Sequence, residues 1–176
     1  PSNEGIQYVG RISFKNPDSP AFTYPGTQII ARFEGTSLKM IAKPMSGYFM
    51  AQIDKAEPFK VGFNAPADSI VTLATALHGG THEVRLMYII EGYERKPEFR
   101  GFLLDEGKQL ADATALPERK IEFIGNSITC GYGIESTNPR EHFMDETENH
   151  YYTYAARTAR ALQAQHIAVA RSGIGI

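Results

Sequence analysis

The chain has 176 residues, of which 42% are hydrophobic and 22% are charged, and its formal net charge at pH 7 is -2. This composition is typical of a globular protein and lacks the basic excess that nucleic-acid binding requires. No apolar run approaches the ~20 residues of a membrane-spanning helix, and the first residues show no secretory leader pattern. We therefore expect neither a nucleic acid nor a membrane as a partner.

The first part of the chain, from Ile6 to about Gly107, has the pattern of many short strands. Apolar residues alternate with other residues at Leu38, Met40 and Ala42, for example, and turn-forming clusters such as NPDSP, YPG, EGTS and HGG separate the apolar runs. This spacing is typical of a β-sandwich. We predict a jelly-roll-like β-sandwich over residues 1–110, followed by a linker over residues 111–119.

From residue 120 the pattern changes to strand, helix and strand. Residues 121–124 form a short apolar run typical of a buried strand, residues 149–165 carry apolar side chains at helical spacing, and residues 166–170 return to a strand pattern. Such a βαβ unit normally belongs to a parallel sheet that is covered by helices on both faces. Because two strands cannot complete that sheet, we predict that residues 120–176 begin a second domain that is cut short after Ile176 or completed by another polypeptide.

Ser127 lies at the carboxyl end of the first predicted parallel strand, where open α/β sheets bind their ligands. Glycines at 125, 131 and 133 would allow a tight turn that exposes the serine. A serine nucleophile needs a histidine to take its proton and backbone N–H groups to hold the oxyanion. The residues alone leave a second interpretation open, in which Ser127 is a structural serine in a glycine-rich turn.

Other ligand-binding motifs are not matched. The pattern G-x-S-x-G fails at Thr129, the P-loop lacks a lysine after Gly131, and the dinucleotide pattern G-x-G-x-x-G ends in Ser136. His78 and His82 have the spacing of metal ligands on a helix, but the two glycines between them indicate a turn instead. We therefore expect neither a cofactor nor a metal site.

The stretch between the two predicted elements of the second domain is strongly acidic. We interpret residues 141–148 most simply as a solvated loop, which could also line a substrate groove. We expect the flanking His142 and His150 to be able to reach the rim of the cleft. His166, at the start of a strand, is expected to be structural. Cys130 is expected to be a small buried packing residue.

The stretch IEFIGNSITCGYG, residues 121–133, resembles the first sequence block of the SGNH hydrolases, most closely in the form found in carbohydrate esterase family 2. The segments YVGR, YPGT, FEGTSL, FRGFLLDEG and ARSGIGI extend the resemblance over nearly the whole chain. Members of that family deacetylate plant cell-wall polysaccharides. They join an N-terminal β-sandwich to a catalytic α/β/α domain. The resemblance therefore implies a jelly-roll-like sandwich followed by the start of a flavodoxin-like SGNH hydrolase domain.

The resemblance also implies the roles of two residues. Ser127 would be the acyl-forming nucleophile, and its own amide and that of Gly173 would be oxyanion-hole donors. Asn126 departs from the aspartate of many relatives, so this position cannot supply a charge. The later G-x-N-D and D-x-x-H blocks of the family are absent, so we expect the histidine base to come from sequence beyond residue 176.

Two functions are compatible with these observations. The first is an esterase that removes O-acetyl groups from plant cell-wall polysaccharides through a serine acyl-enzyme. Its partners would be an acetylated polysaccharide or oligosaccharide and the remainder of the hydrolase domain, in the same parent protein or a second chain. The alternative is a non-catalytic carbohydrate-binding or structural fragment in which Ser127 is a relic. A secreted or periplasmic location follows from the substrate class that the resemblance implies.

Overall fold

A computed structural model describes residues 1–174. The first 111 residues fold into antiparallel strands that we call the β-rich half. Its strands are β1 (Ile6–Val9), β2 (Ile12–Ser13), β3 (Ala21–Phe22), β4 (Gln28–Glu34), β5 (Leu38–Ala42), β6 (Gly47–Ile53), β7 (Phe59–Phe63), β8 (Ile70–Ala74), β9 (Thr81–Tyr88), β10 (Phe99–Leu104) and β11 (Leu110–Ala111).

The strands of the β-rich half form two main sheets. One has the order β1-β4-β9-β6-β7, with β11 also paired to β4, and the other has the order β10-β5-β8. The short strands β2 and β3 form a separate ribbon. All these pairs are antiparallel, and the register places Phe49 of β6 opposite Tyr88 of β9. The structure therefore has the β-rich N-terminal region that the turn spacing predicted.

Both sheets contribute to one apolar core. In β5 the side chains of Leu38, Met40 and Ala42 are buried and Lys39 between the first two is exposed, as the alternation predicted. Aromatic rings fill much of this core. Because burying one large apolar side chain stabilises a protein by about 1.5–3 kcal/mol, rings such as Phe49 contribute strongly to the stability of this half.

The following segment, which we call the parallel unit, contains β12 (Lys120–Gly125), α1 (Ser127–Cys130), α2 (Tyr154–Ala161) and β13 (Gln165–Ala170), with single turns of 3-10 helix at Asp145–Thr147 and His150–Tyr152. Strands β12 and β13 pair in parallel along their whole length. The strand, helix and strand pattern is thereby confirmed. No helix in the part of the chain that the structure describes is long and apolar enough to cross a membrane.

The prediction of a buried first parallel strand is wrong. Phe123 of β12 packs against the rings of Tyr154 and His166, with centroid separations of 6.0 and 6.2 Å. Ile124, which points to the other face, is 66% exposed. Within residues 1–174 the helices cover one face of the two-stranded sheet, so partly buried and exposed side chains alternate along β12.

The predicted helix over residues 149–165 is shorter than expected. Asn149 caps a turn of 3-10 helix, and Thr153 then caps α2, because its Oγ1 accepts a hydrogen bond from the Ala156 N–H at 3.4 Å. Two consecutive capping residues break the segment into two pieces. The buried face of α2 is formed by small alanines, and Tyr154 is half exposed.

Candidate active site

Ser127 begins α1 directly after β12. Asn126 caps this short helix: its Oδ1 accepts a hydrogen bond from the Ile128 N–H at 3.1 Å. Gly131 ends the helix at φ 95°, where a Cβ atom would lie 2.7 Å from the backbone carbonyl of Asn149. This contact and the left-handed φ restrict the position to glycine. The turn that carries Ser127 is therefore fixed at both ends, and the serine itself is half-buried.

Gly173 lies on the turn that follows β13, at φ 76°. The register places Gly125, the last residue of β12, opposite Ala170, the last residue of β13. Ser127 and Gly173 therefore follow neighbouring parallel strands at the same edge of the sheet. The backbone N–H groups of both residues donate no hydrogen bond within residues 1–174. They are thus free to donate to a ligand, and their roles in catalysis stay predictions.

The hydroxyl of Ser127 forms no hydrogen bond to a histidine in the described part of the chain. His150 was expected to be able to reach the cleft rim, and this expectation is wrong. His150 is fully buried, and its ring stacks on that of His166 at a centroid distance of 5.3 Å. His142 is exposed.

The hydrogen bonds of the buried histidine pair admit one arrangement of protons. The carbonyl of Thr129 can only accept, so His150 donates through Nδ1 at 2.7 Å. His150 Nε2 then accepts from His166 Nε2 at 3.0 Å, and His166 Nδ1 accepts from Gln28 Nε2 at 3.3 Å. Both rings are therefore neutral. Neither can take a proton without losing a hydrogen bond, so neither is suited to serve as the base.

Burial is the main cause of the low basicity of the pair. Burial and then the neighbouring His166 lower the pKa of His150 to about 3. Burial and then the Arg160 charge lower the pKa of His166 to about 4. The histidine pair connects the parallel unit to the β-rich half, because the hydrogen-bond partner of His166, Gln28, belongs to β4.

The histidines at 78 and 82 do not form a metal site. His82 Nδ1 lies 2.8 Å from Asp54 Oδ2, and its Nε2 lies 2.8 Å from the backbone carbonyl oxygen of His78. Both ring nitrogens are therefore engaged without the imidazole of His78. The hydrogen bond that His82 donates to the Asp54 carboxylate is the main cause that raises the pKa of His82.

The acidic stretch is not the solvated loop that the sequence predicted, because several of its members contact the β-rich half. Asp145 accepts a hydrogen bond from Arg95 Nε at 2.7 Å, and Glu146 accepts one from the Tyr48 hydroxyl at 3.1 Å. Glu148 is fully buried, and its Oε2 accepts from the Glu91 N–H at 3.0 Å. These contacts form a polar junction between the halves.

Glu148 also belongs to a small buried cluster at that junction. Its carboxyl, the carboxyl of Glu91 and the thiol of Cys130 have ligand atoms within 4.8 Å of one another. Burial is the main cause that raises the pKa of Glu148 to about 8. The hydrogen bond from the Glu91 N–H acts against this rise, and the Glu91 and Asp145 charges add to it. Burial is also the main cause that raises the pKa of Cys130. Sequence reasoning missed this cluster because Glu91 and Glu148 lie in separate segments with no shared motif.

A cavity of about 390 Å³ lies beside the carboxyl edge of the parallel sheet. Its walls come from Ile124 and Val169 of the sheet and from Tyr24 and Tyr93 of the β-rich half. Ser127 does not line this cavity. The cavity lies between loops of the β-rich half and the uncovered face of β12. Because Ser127 is not in its wall, this cavity is not the candidate substrate site.

The protein combines an antiparallel β-rich half with a parallel unit through a polar junction, and a serine lies at the turn after the first parallel strand. This organisation places the serine where open α/β sheets bind their ligands. A family model described as carbohydrate esterase 2 N-terminal matches residues 8–113. The chain belongs to carbohydrate esterase family 2, which confirms the resemblance of its motifs.

Individual relatives agree with this assignment. The cellulase/esterase CelE of Acetivibrio thermocellus is 40% identical over 177 residues, covering 99% of this chain and 21% of that protein. An acetylxylan esterase / glucomannan deacetylase of Cellvibrio japonicus is 32% identical, covering 95% of this chain and 47% of that protein. A solved family two carbohydrate esterase from Clostridium thermocellum, in complex with cellohexaose, matches with a TM-score of 0.87 at 38% identity, covering 97% of this chain and 52% of that one. The chain thus spans about half the length, or less, of these relatives.

Proposed function

We propose that this chain is the N-terminal part of an esterase that removes O-acetyl groups from plant cell-wall polysaccharides. In this proposal the β-rich half is a jelly-roll-like sandwich, and the parallel unit begins a flavodoxin-like SGNH hydrolase domain. The observation that carries the proposal is the place of Ser127, on a rigid turn at the carboxyl edge of two parallel strands. The names of the relatives supply the reaction class.

The proposed reaction is an acyl transfer. The Ser127 hydroxyl attacks the carbonyl carbon of an acetyl ester while a histidine takes its proton. The oxyanion of the tetrahedral intermediate accepts hydrogen bonds from the N–H groups of Ser127 and Gly173. The bond to the sugar oxygen then breaks, the histidine returns the proton to that oxygen, and water releases acetate from the serine.

The base is proposed to lie in the part of the relatives that this chain does not span. Support comes from the two buried histidines, whose ring nitrogens are committed to Thr129, Gln28 and each other. A neutral and buried imidazole whose pKa is far below 6.5 is a poor proton acceptor at neutral pH. The parallel unit therefore supplies the nucleophile and two oxyanion donors in this proposal, and the remainder of the hydrolase domain supplies the base.

The substrate is proposed to be an acetylated polysaccharide or oligosaccharide. The Cellvibrio japonicus relative is named for xylan and glucomannan, and the Clostridium thermocellum structure holds cellohexaose. A polymer of this kind is not taken up intact by a cell. A secreted or periplasmic location is therefore part of the proposal.

The test is the variant Ser127→Ala in the protein that contains the whole hydrolase domain. Acetate release from acetylated xylan should fall by roughly 10⁴-fold or more, because the acyl-enzyme cannot form. The thermal midpoint should stay unchanged, because the side chain is half-buried and small. Ser136→Ala, on a loop of the same unit, is the matched control and should keep full activity. Undiminished acetate release by Ser127→Ala would overturn the proposal.

A further inference from the structure

Glu91 of the β-rich half contacts the segment that carries Gly173. Glu91 lies on the connection between β9 and β10, and both of its carboxylate oxygens accept hydrogen bonds from Ser172. Oε1 accepts from the Ser172 N–H at 2.7 Å, and Oε2 accepts from the Ser172 hydroxyl. Hydrogen bonds to a charged acceptor are stronger than neutral ones, so this pair fixes Ser172 in two directions.

The connection between β9 and β10 also holds Arg171, the residue that precedes Ser172. The guanidinium of Arg171 stacks over the ring of Tyr93 at 4.0 Å from the ring centroid. The Arg171 N–H donates to the Gly125 carbonyl at 3.2 Å, which keeps the segment in line with the end of β12. Residues 171 and 172 are thus held by two side chains of the β-rich half and one backbone contact within the sheet.

The backbone of Glu91 is in turn held by Glu148. Its N–H donates to Glu148 Oε2 at 3.0 Å, and Glu148 packs beside Cys130 of α1, the helix that Ser127 begins. A continuous series of contacts therefore runs from the nucleophile helix, through Glu91, to the turn with Gly173.

Gly173 needs such support. It is exposed, has φ 76°, and has no side chain to limit its conformations. An oxyanion donor works only at about 2.7–3.1 Å from the developing charge, and a misplacement of ~1 Å costs on the order of 100-fold in rate. The immediate neighbour that fixes its orientation is Ser172.

We propose that Glu91 is a positioning residue for the esterase reaction, which aims the Gly173 N–H at the oxyanion by holding Ser172. This inference rests on the proposed function. It assigns to the β-rich half an indirect part in the chemistry, through Ser172, in addition to any part in sugar binding.

The central experiment is Glu91→Ala in the protein that contains the whole hydrolase domain. We expect kcat for acetate release to fall roughly 10- to 100-fold, with KM within about twofold of the parent value, since the donor acts on the transition state. Glu94→Ala removes the same charge from the same connection but from an exposed side chain, and it should keep the parent kcat. An unchanged kcat in folded Glu91→Ala would overturn the inference.

Two further variants separate positioning from mere stability. In Glu91→Gln the amide can still accept from the Ser172 N–H and donate to its hydroxyl, so kcat should return to within about threefold of the parent. Ser172→Ala removes one of the two hydrogen bonds and should lower kcat about 3- to 10-fold. Combined with Glu91→Ala it should cost no more than Glu91→Ala alone, because the two residues act as one unit. Additive losses, or a full kcat in folded Ser172→Ala, would also overturn the inference, even if Glu91→Ala fails to fold.

The outcome for Ser127→Ala distinguishes the two proposals. If that variant is inactive while the Glu91 and Ser172 variants keep the parent kcat, the esterase function stands and the positioning role fails. If Ser127→Ala keeps its activity, the function itself fails, and with it the role of Gly173 that the positioning would serve.

Discussion

The core of the β-rich half and the polar junction contain different kinds of side chain. The core contains Phe22, Phe49, Phe63 and Tyr88 packed edge to face, with apolar neighbours from both sheets. The junction contains carboxylates, arginines and a pair of neutral histidines. The core should therefore respond to a change of side-chain volume, and the junction to a change of pH or charge.

The largest effect is expected for a cavity in the core. Phe49 is 1% exposed and contacts three other rings, so Phe49→Ala should lower the free energy of unfolding by about 4 kcal/mol. Urea denaturation of the chain would measure this loss of unfolding free energy. Phe59→Ala on the neighbouring edge strand, where the ring is 37% exposed, should cost less than ~1 kcal/mol. Equal losses in both variants would show that the core is not the main source of stability.

The buried histidine pair should make the stability of the protein sensitive to acid. An unfolded histidine takes up a proton below about pH 6.5, while His166 and His150 in the folded protein stay neutral down to about pH 4 and pH 3. Between these values the unfolded state binds more protons, so stability is complete above pH 6.5 and falls as the pH decreases. We expect a loss of roughly 3 kcal/mol between pH 7 and pH 4.

Urea midpoints at a series of pH values would measure this acid sensitivity. His166→Gln keeps a donor toward His150 and an acceptor toward Gln28 but cannot titrate in this range, so its midpoint should fall less steeply with acid. The exposed His142→Gln should match the parent. An identical slope in parent and His166→Gln would mean that other groups cause the acid sensitivity.

Glu148 should give a smaller effect with the opposite sign. An unfolded glutamate loses its proton near pH 4.3, whereas burial, offset by the hydrogen bond from the Glu91 N–H and reinforced by the Glu91 and Asp145 charges, raises the pKa of Glu148 in the folded protein to about 8. Between these values the folded state binds more protons, so this contribution to stability is full below pH 4.3 and decreases as the pH rises. Glu148→Gln should therefore stabilise the chain at pH 8 by on the order of 2 kcal/mol.

Thermal melts at pH 5 and pH 8 would test the Glu148 prediction. The gain in Glu148→Gln should be confined to the higher pH, and the exposed Glu106→Gln should give none at either pH. A Glu148→Gln variant that is destabilised at pH 8 would show that the carboxylate is ionised and used there.

The smallest effect is expected at the edge of the junction. Arg11 and Glu122 form an ion pair at 3.3 Å between side chains that are 59% and 46% exposed. Such pairs contribute less than ~1 kcal/mol, so Arg11→Ala should shift the free energy of unfolding by no more than ~0.5 kcal/mol. A larger loss, measured in the same urea experiment, would place this pair among the main contacts of the junction.

Local patterns predicted most of the elements. The alternation at Leu38, Met40 and Ala42 and the apolar runs at the two parallel strands depend on neighbours in the sequence, so they could be read directly. The end of a helix depends on capping contacts, and Thr153 therefore shortened α2 without a warning in its periodicity. The exposure of Ile124 depends on which faces of the sheet are covered, and no local pattern contains that information.

The motif singled out two residues of the candidate site, and their roles stay predictions. Ser127 stands in a recognisable block, and the structure places it and Gly173 at one edge of the sheet. Glu91 was not identified, and Glu148 and His150 were expected at the surface although both are buried, because their contacts join segments that are far apart along the chain. A buried carboxyl group and a surface one look the same in a sequence until the fold brings their partners together.

Gly26 sits at the junction with no room for a side chain: a Cβ atom there would lie 2.7 Å from His150 Nε2 and 2.8 Å from His166 Nε2. During synthesis on the ribosome, Gly26 emerges long before either histidine. Domains generally fold as units, N-terminal first. The β-rich half should therefore be folded before the parallel unit docks on it. A bulky residue at position 26 would prevent that docking but would still allow the β-rich half to fold.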